Sequence, residues 1–243
     1  MKALLHIHSS ASFDSLSRVR AIAAEARRLG AQAVAVTDHD TMAGSLALAK
    51  AAPDLQCIRG AEYNTDCGDI IGLFLKEEIT VRTAAELVQA IRDQGGVSIL
   101  PHPWHAHERV EALASMVDAV EVWNGRCSAR ENDRALALAE ALGKPKLAGS
   151  DAHFVSEMRN AVMEFETAGP LDGSVLLHSP RRWTVQAGRR SLLFWSQGIK
   201  AVKQHRLRTA WHAARGLAGC LLRSSVGNER WERWKRSCQT KAE

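Results

Sequence analysis

Between Ala3 and Gly149, short apolar runs alternate with longer segments in which apolar residues recur at helical spacing, the pattern of an α/β chain. Ala3–His8, Ala33–Thr37, Cys57–Glu62, Ile70–Leu75, Val97–Leu100, Ala119–Trp123 and Lys146–Gly149 are the expected strands. Ser17–Leu29, Ala43–Ala51, Thr83–Gln94 and Ala129–Leu142 are the expected helices, closed by Gly30, Pro53, the Gly95-Gly96 pair and Gly143. Strand–helix units of this length favour right-handed crossovers and a closed or nearly closed parallel barrel. An open doubly wound sheet is the alternative, but no Gly-x-Gly-x-x-Gly follows the first strand.

Past about residue 170 this alternation stops. Ser191–Ser224 reads as one or two helices, with Ile199, Val202, Trp211, Ala214, Leu217 and Leu221 on one side and basic residues elsewhere. Partial disorder is expected for Arg230–Lys241. Charge divides the chain at the same place. Residues 1–170 carry 17 Lys/Arg against 23 Asp/Glu, and residues 171–243 carry 15 against 4, so the net +5 hides an acidic body and a basic tail. The expected organisation is a domain over 1–170 and a basic, Trp-rich helical extension over 171–243. That extension has three readings: contact with an anionic polymer, contact with an anionic membrane surface, or simple packing with its charges solvated. Five cysteines without a Cys-x-x-Cys argue against a disulfide framework and suit a reducing, cytoplasmic setting. The start, MKALLHIHSS, is too short and polar for a signal peptide. No apolar run reaches the roughly 18 residues of a transmembrane helix.

Ionisable residues gather at the expected strand ends, where barrel enzymes keep their active sites. His6 and His8 are two apart on the first strand, so strand periodicity turns both to one side. They read equally as ligands of one cation or as hydrogen-bonded core histidines. Asp14 follows in the next loop, and the second strand ends in Thr37-Asp38-His39-Asp40, where Asp40 or Thr41 could instead cap a helix. The third strand ends at Glu62. The fifth ends in Pro101-His102-Pro103, whose prolines are expected to hold His102 extended, with His105 and His107 close behind. The seventh ends in Asp151-Ala152-His153. Five strand ends of seven thus present a His, Asp or Glu, which favours a metal centre over unpaired buried charge.

These motifs, His6-x-His8 with Asp14, Thr37-Asp38-His39, Gly60-Ala61-Glu62, Pro101-His102-Pro103 and Gly149-Ser150-Asp151-Ala152-His153, resemble in order those of the PHP (polymerase and histidinol phosphatase) family over about residues 3–165. The resemblance implies a distorted (β/α)7 barrel with two or three divalent cations (Mn, Zn or Fe) at the C-terminal strand ends. It implies that His6, His8, Glu62 and Asp151 hold a first ion. Glu62 would bridge to a second, also held by His102, while Asp14, His39 and His153 hold a third. Asp69 stands where the family often has a further histidine, and an oxygen ligand there would favour harder ions such as Mn²⁺.

The expected activity is metal-dependent hydrolysis of phosphate esters by a metal-bridging hydroxide. Asp151 and Glu62 would be central, His105 or a metal-bound water would protonate the leaving group, and Arg126, with Arg159 as a second choice, would grip phosphate. Arg126 reads equally as a solvated surface residue. The substrate would be a phosphorylated small molecule or a short nucleic acid. The alternatives are a protein-tyrosine or sugar phosphatase on the same barrel, a catalytically silent metal-binding scaffold, and an amidohydrolase.

Overall fold

In the computed structural model, which describes residues 1–205 and 212–220, the seven expected strands form β1 (Lys2–Ile7), β2 (Ala33–Val36), β3 (Gln56–Thr65), β4 (Gly68–Leu73), β5 (Val97–Leu100), β6 (Ala119–Asn124) and β7 (Lys146–Gly149). Helices α1 (Val19–Arg28), α2 (Ala43–Ala51), α3 (Ala84–Asp93), α4 (Val110–Met116) and α5 (Ala129–Ala141) lie between them. The local signals that start and stop these helices are present. Ser128 and Glu131 form a reciprocal capping box at the start of α5. Gly30 and Gly143, just past α1 and α5, take φ of +72° and +62°, which a residue with a Cβ adopts only under strain.

The sheet order is β7-β6-β5-β4-β3-β2-β1-β8-β9. Strands β1 to β3 and β5 to β7 are parallel, but β4 runs antiparallel to both its neighbours. The expected all-parallel arrangement is corrected here. Only Asp66 and Cys67 separate β3 from β4, and a parallel crossover needs about a dozen residues. The chain just past β7 meets β1 near the C-terminal strand ends, where Ser150 N–H donates to Leu5 O (3.1 Å), Ala152 N–H to His6 O (3.2 Å) and His8 N–H to Ala152 O (2.8 Å). At the other end of β1, Lys2 and Ala3 pair instead with β8. The fold is therefore a distorted, nearly closed α/β barrel.

Strands β8 (Ala161–Phe165) and β9 (Arg181–Val185) and helix α6 (Gly173–His178) were not expected. In β9, two arginines precede Trp183 and a threonine follows it, so apolar patterning is weak, and the strand is held by its antiparallel ladder to β8. The compact unit that contains the barrel runs from Met1 to Gly188, so β9 and α6 belong to it although they lie past residue 170. A second unit begins at Arg189, where α7 spans Arg190–Lys203 and residues 212–220 are helical. Of Ser191–Ser224, residues 206–211 and 221–224 lie outside the described residues, as do Arg230–Lys241 and Cys238. Among the described residues, no cysteine is joined in a disulfide. Among the described residues, no helix is long and apolar enough to cross a membrane.

The barrel interior is filled largely by small residues, Ala3, Ala33, Ala35, Ala119 and Ala148, with Leu5, Ile71, Ile99 and Leu147 between them. Outside, Ile22, Ala26 and Leu48 pack on Leu4, Ile7, Val34 and Val36, while Leu87, Ile91, Leu113 and Leu138 cover Ile70, Leu100 and Val120. This alternation exposes a local irregularity. Ala3 and Leu5 face in and Leu4 faces out, so an unbroken strand would turn His6 outward. Instead the β1–β2 register shifts between Leu4 and Ile7, and His6 takes φ +59°. This bulge turns His6 and His8 to the barrel mouth and leaves Ile7 outside.

Leu87 on α3 is fully buried. Leu87→Ala is expected to lower unfolding free energy by about 2–5 kcal/mol, read as a lower urea midpoint at unchanged slope.

Candidate metal centre

Eight of the nine expected ligands converge at the mouth. His8, Asp14, His39 and His153 form one group; His6, His8 and Asp151 a second; His6, Glu62 and His102 a third. In each, one donor atom per residue lies within 4.8 Å of the others. Glu62 sits between them. Its Oε2 is 3.4 Å from His6 Nε2, 3.3 Å from His8 Nε2 and 3.3 Å from His39 Nδ1, and its Oε1 is 2.9 Å from His102 Nε2. Asp14 Oδ2 lies 3.3 Å from His39 Nε2 and 3.0 Å from His153 Nε2. Asp151 Oδ1 lies 3.4 Å from His8 Nε2 and 3.4 Å from His153 Nδ1.

The chain around these side chains is firmly held. The Asp38 carboxylate accepts from Ser9 N–H (2.6 Å) and Ser9 Oγ–H (2.7 Å), fixing the loop that carries Asp14. Ser15 and Ser17 hydroxyls donate to the His153 carbonyl at 2.8 and 3.0 Å. Buried Glu157 receives the N–H groups of His153 and Phe154, each at 3.1 Å. His102 is not extended as its flanking prolines suggest: it takes φ +29°, and its N–H donates to Glu121 Oε2 at 2.9 Å. Tertiary hydrogen bonding here outweighs the local preference of a residue before proline.

The donor set fits divalent cations. Asp14 Oδ1 is buried without a hydrogen-bond partner, which is costly unless a ligand takes it. Mixed imidazole and carboxylate donors suit Zn, Mn or Fe.

The remaining expected site residues lie outside the three donor groups. Asp69 pairs with Asn64 on the neighbouring strand, one pleat or about 7 Å beyond Glu62, and accepts from Asn64 Nδ2 (2.8 Å). It joins none of the three groups. His105 is exposed, edge-on to His102 at 5.8 Å between ring centroids. Arg126 is half-buried, and its charge acts on Asp151 and His153. Arg159 is exposed, and its charge acts on Glu25 of α1. Asp40 does not cap α2; it accepts from Asn64 N–H (3.1 Å). Sequence reasoning passed over Glu121 and Asn124, both buried beneath the ligands. A signal was present, since Glu121 is the one charged residue in the apolar run Ala119–Trp123.

Residues 5–120 match the PHP domain family, and residues 129–176 match the PHP-associated family. The chain belongs to the PHP family. It is 35% identical to the uncharacterized protein MJ1587 of Methanocaldococcus jannaschii, over 51% of this chain and 82% of that protein. It is 39% identical to the uncharacterized MJ0417 of the same organism, over 44% of this chain and 51% of the relative. PsfC from Pseudomonas syringae has a similar structure, with TM-score 0.62 and 16% identity, over 83% of this chain and 98% of PsfC. So does a protein of Bifidobacterium adolescentis described as a candidate metal-dependent phosphoesterase, with TM-score 0.52 and 16% identity, over 63% of this chain and 87% of that one. An amidohydrolase of Chromobacterium violaceum, solved with bound sulfate, gives TM-score 0.53 and 16% identity, over 62% and 87%. At such identity these structures speak for the fold alone.

Without cations, the PHP site balances its charge with protons. Burial opposes charging His8, but the Asp151 and Glu62 carboxylates outweigh it and raise its pKa to about 10. Burial likewise opposes charging His102, and Glu62 raises it to about 9. Burial would raise Glu62 and Asp151, yet the imidazoles hold both well below the usual carboxylate range. His153 is the exception, lowered to about 4 by burial and by the charges of His8 and Arg126.

Ligation requires neutral imidazoles, so cations must displace the protons on His8 and His102. Near neutral pH, calorimetric titration of Mn²⁺ or Zn²⁺ in two buffers of different ionisation enthalpy should report at least two protons released. Apparent affinity should rise with pH up to about 10. Binding without proton release would contradict this account. In the metal-free protein, the raised histidine pKa values stabilise the fold at lower pH and that contribution is lost as pH climbs through about 9 to 10. The depressed carboxylates act oppositely: their contribution is lost as pH falls below about 4. Thermal midpoints of the metal-free protein should therefore fall on both sides of that window.

Proposed function

We propose that this PHP protein is a metal-dependent phosphoesterase. The observation that carries the reading is the convergence of eight buried or half-buried imidazoles and carboxylates from five strand ends into overlapping donor groups. His6, His8, Glu62 and Asp151 would hold one cation, Glu62 and His102 a second, and Asp14, His39 and His153 a third. Bound there, divalent cations would supply Lewis-acid polarisation of a phosphoryl oxygen and would lower the pKa of a water toward about 7.

The protein's own groups would do the rest. Arg126, half-buried beside Asp151, would grip a non-bridging phosphate oxygen pair. His105, exposed at the rim against His102, would give a proton to the leaving oxygen. Phosphorylated small molecules and short nucleic acids are the substrate classes in view.

A catalytically silent metal-binding scaffold is the competing reading. One observation favours it: Asp69 is held by Asn64, which leaves the group around His102 with a histidine shared with its neighbour. Metal analysis together with a phosphate-release screen over nucleotides, sugar phosphates, short oligonucleotides and phosphopeptides, with Mn²⁺ and Zn²⁺ supplied separately, separates the two. Metal uptake without release from any of them would sink the phosphoesterase reading. On an active substrate, Asp151→Asn should lower turnover by about 100-fold or more with the fold retained by circular dichroism. Undiminished turnover would remove Asp151 from the centre.

A further inference from the structure

We propose that Glu121, on β6, is the positioning residue of this centre, setting the tautomer of His6 and the placement of His102 and Asp151. The inference rests on the metal-centre reading above and goes beyond it to a residue that contacts no expected substrate.

Glu121 is 3% exposed and lies under the ligands. Its Oε1 is 2.9 Å from His6 Nδ1. Its Oε2 accepts from the backbone N–H of His102 (2.9 Å) and from Asn124 Nδ2 (2.9 Å), and Asn124 Nδ2 also reaches Asp151 Oδ2 (3.2 Å). One carboxylate thus ties together the His6 ring on β1, the backbone of His102 in the loop after β5 and, through Asn124, the Asp151 carboxylate after β7.

A carboxylate only accepts hydrogen bonds, and two other donors already converge on Oε2, so Nδ1 of His6 carries the proton. That leaves the lone pair on Nε2, which points toward Glu62 Oε2 (3.4 Å) and Asp151 Oδ1 (3.6 Å), and His6 belongs to two of the three donor groups. A ligating imidazole needs such an outer partner to hold its ring and tautomer, and a carboxylate makes it a stronger donor. The surroundings keep competitors away. The small cavity beside His6 and Glu121 is otherwise lined by Leu5, Ile71, Leu73, Ile99, Leu147 and Ala148, an apolar floor. Position 149 leaves room for the contact: a Cβ on Gly149 would lie 1.8 Å from Glu121 Oε1 and 2.8 Å from the His6 Cβ.

Glu121→Gln removes this arrangement at nearly constant shape. If its amide oxygen faces His6, its NH₂ confronts the His102 N–H and the Asn124 amide. If it turns over, it forces the proton of His6 onto Nε2. The test uses the full chain, stripped of metal and titrated with Zn²⁺ against a competing chelator. Glu121→Gln should bind its tightest Zn²⁺ about 10- to 100-fold more weakly than the parent. Unchanged affinity and stoichiometry in the folded variant would overturn the proposal. A second measurement needs no variant. In the zinc-loaded parent labelled with ¹⁵N-histidine, long-range ¹H–¹⁵N correlations should show His6 bound through Nε2 with its proton on Nδ1. Binding of His6 through Nδ1 would overturn the positioning role alone, whereas a parent that takes up no zinc would end the metal-centre reading and this one with it.

Discussion

A carboxylate buried at the mouth of a barrel is tolerable only if neighbouring groups compensate its charge, and Glu62 is compensated by four imidazoles at once. His6, His8, His39 and His102 all stand within 3.4 Å of its two oxygens, although they come from three different strand ends. Removing the partners of such a group leaves an uncompensated buried charge, a far larger penalty than the loss of an exposed ion pair. Glu62 is therefore the constraint around which the ends of β1, β2, β3 and β5 are arranged. Asp14 and Asp151 extend the same alternation of acid and imidazole toward His153.

Meeting that constraint takes backbone conformations that L-residues seldom adopt. His6, His102 and Asp151 have φ of +59°, +29° and +50°. Such strain persists where the surroundings over-determine it, and here each of the three is tied to its neighbours: His6 through Glu121, His102 through Glu121 and Glu62, and Asp151 through Asn124. All three of these strained residues lie at the mouth. The opposite end of β1 is an ordinary antiparallel ladder to β8.

The electrostatics and the fold point to the same chemistry. Acid and imidazole groups whose charges cancel by proton exchange are also groups that exchange protons for divalent cations, and membership of the PHP family places them on a barrel suited to it. Arg126 adds a positive charge near Asp151 and His153 without entering the donor groups, a suitable position for binding an anion.

Much of this was legible in the chain itself. The spacing of apolar runs located all seven barrel strands, because each must bury a short apolar stretch. Glycines marked helix ends, because those are local conformational preferences. The clustered acids and imidazoles on five strand ends were legible because a core excludes such residue types unless they are paired or bind an ion. What tertiary structure alone decided depended on partners distant in sequence. The two-residue Asp66-Cys67 turn reversed β4, and strand pairing carried Asp69 one pleat past Glu62. The bulge at His6 appeared only where β1 had to pair with β2 and meet the chain beyond β7. Glu121 looked like one acid in an apolar strand until folding set it beneath His6, 115 positions away, because apolar periodicity reports which face is buried but not which group lies across the barrel.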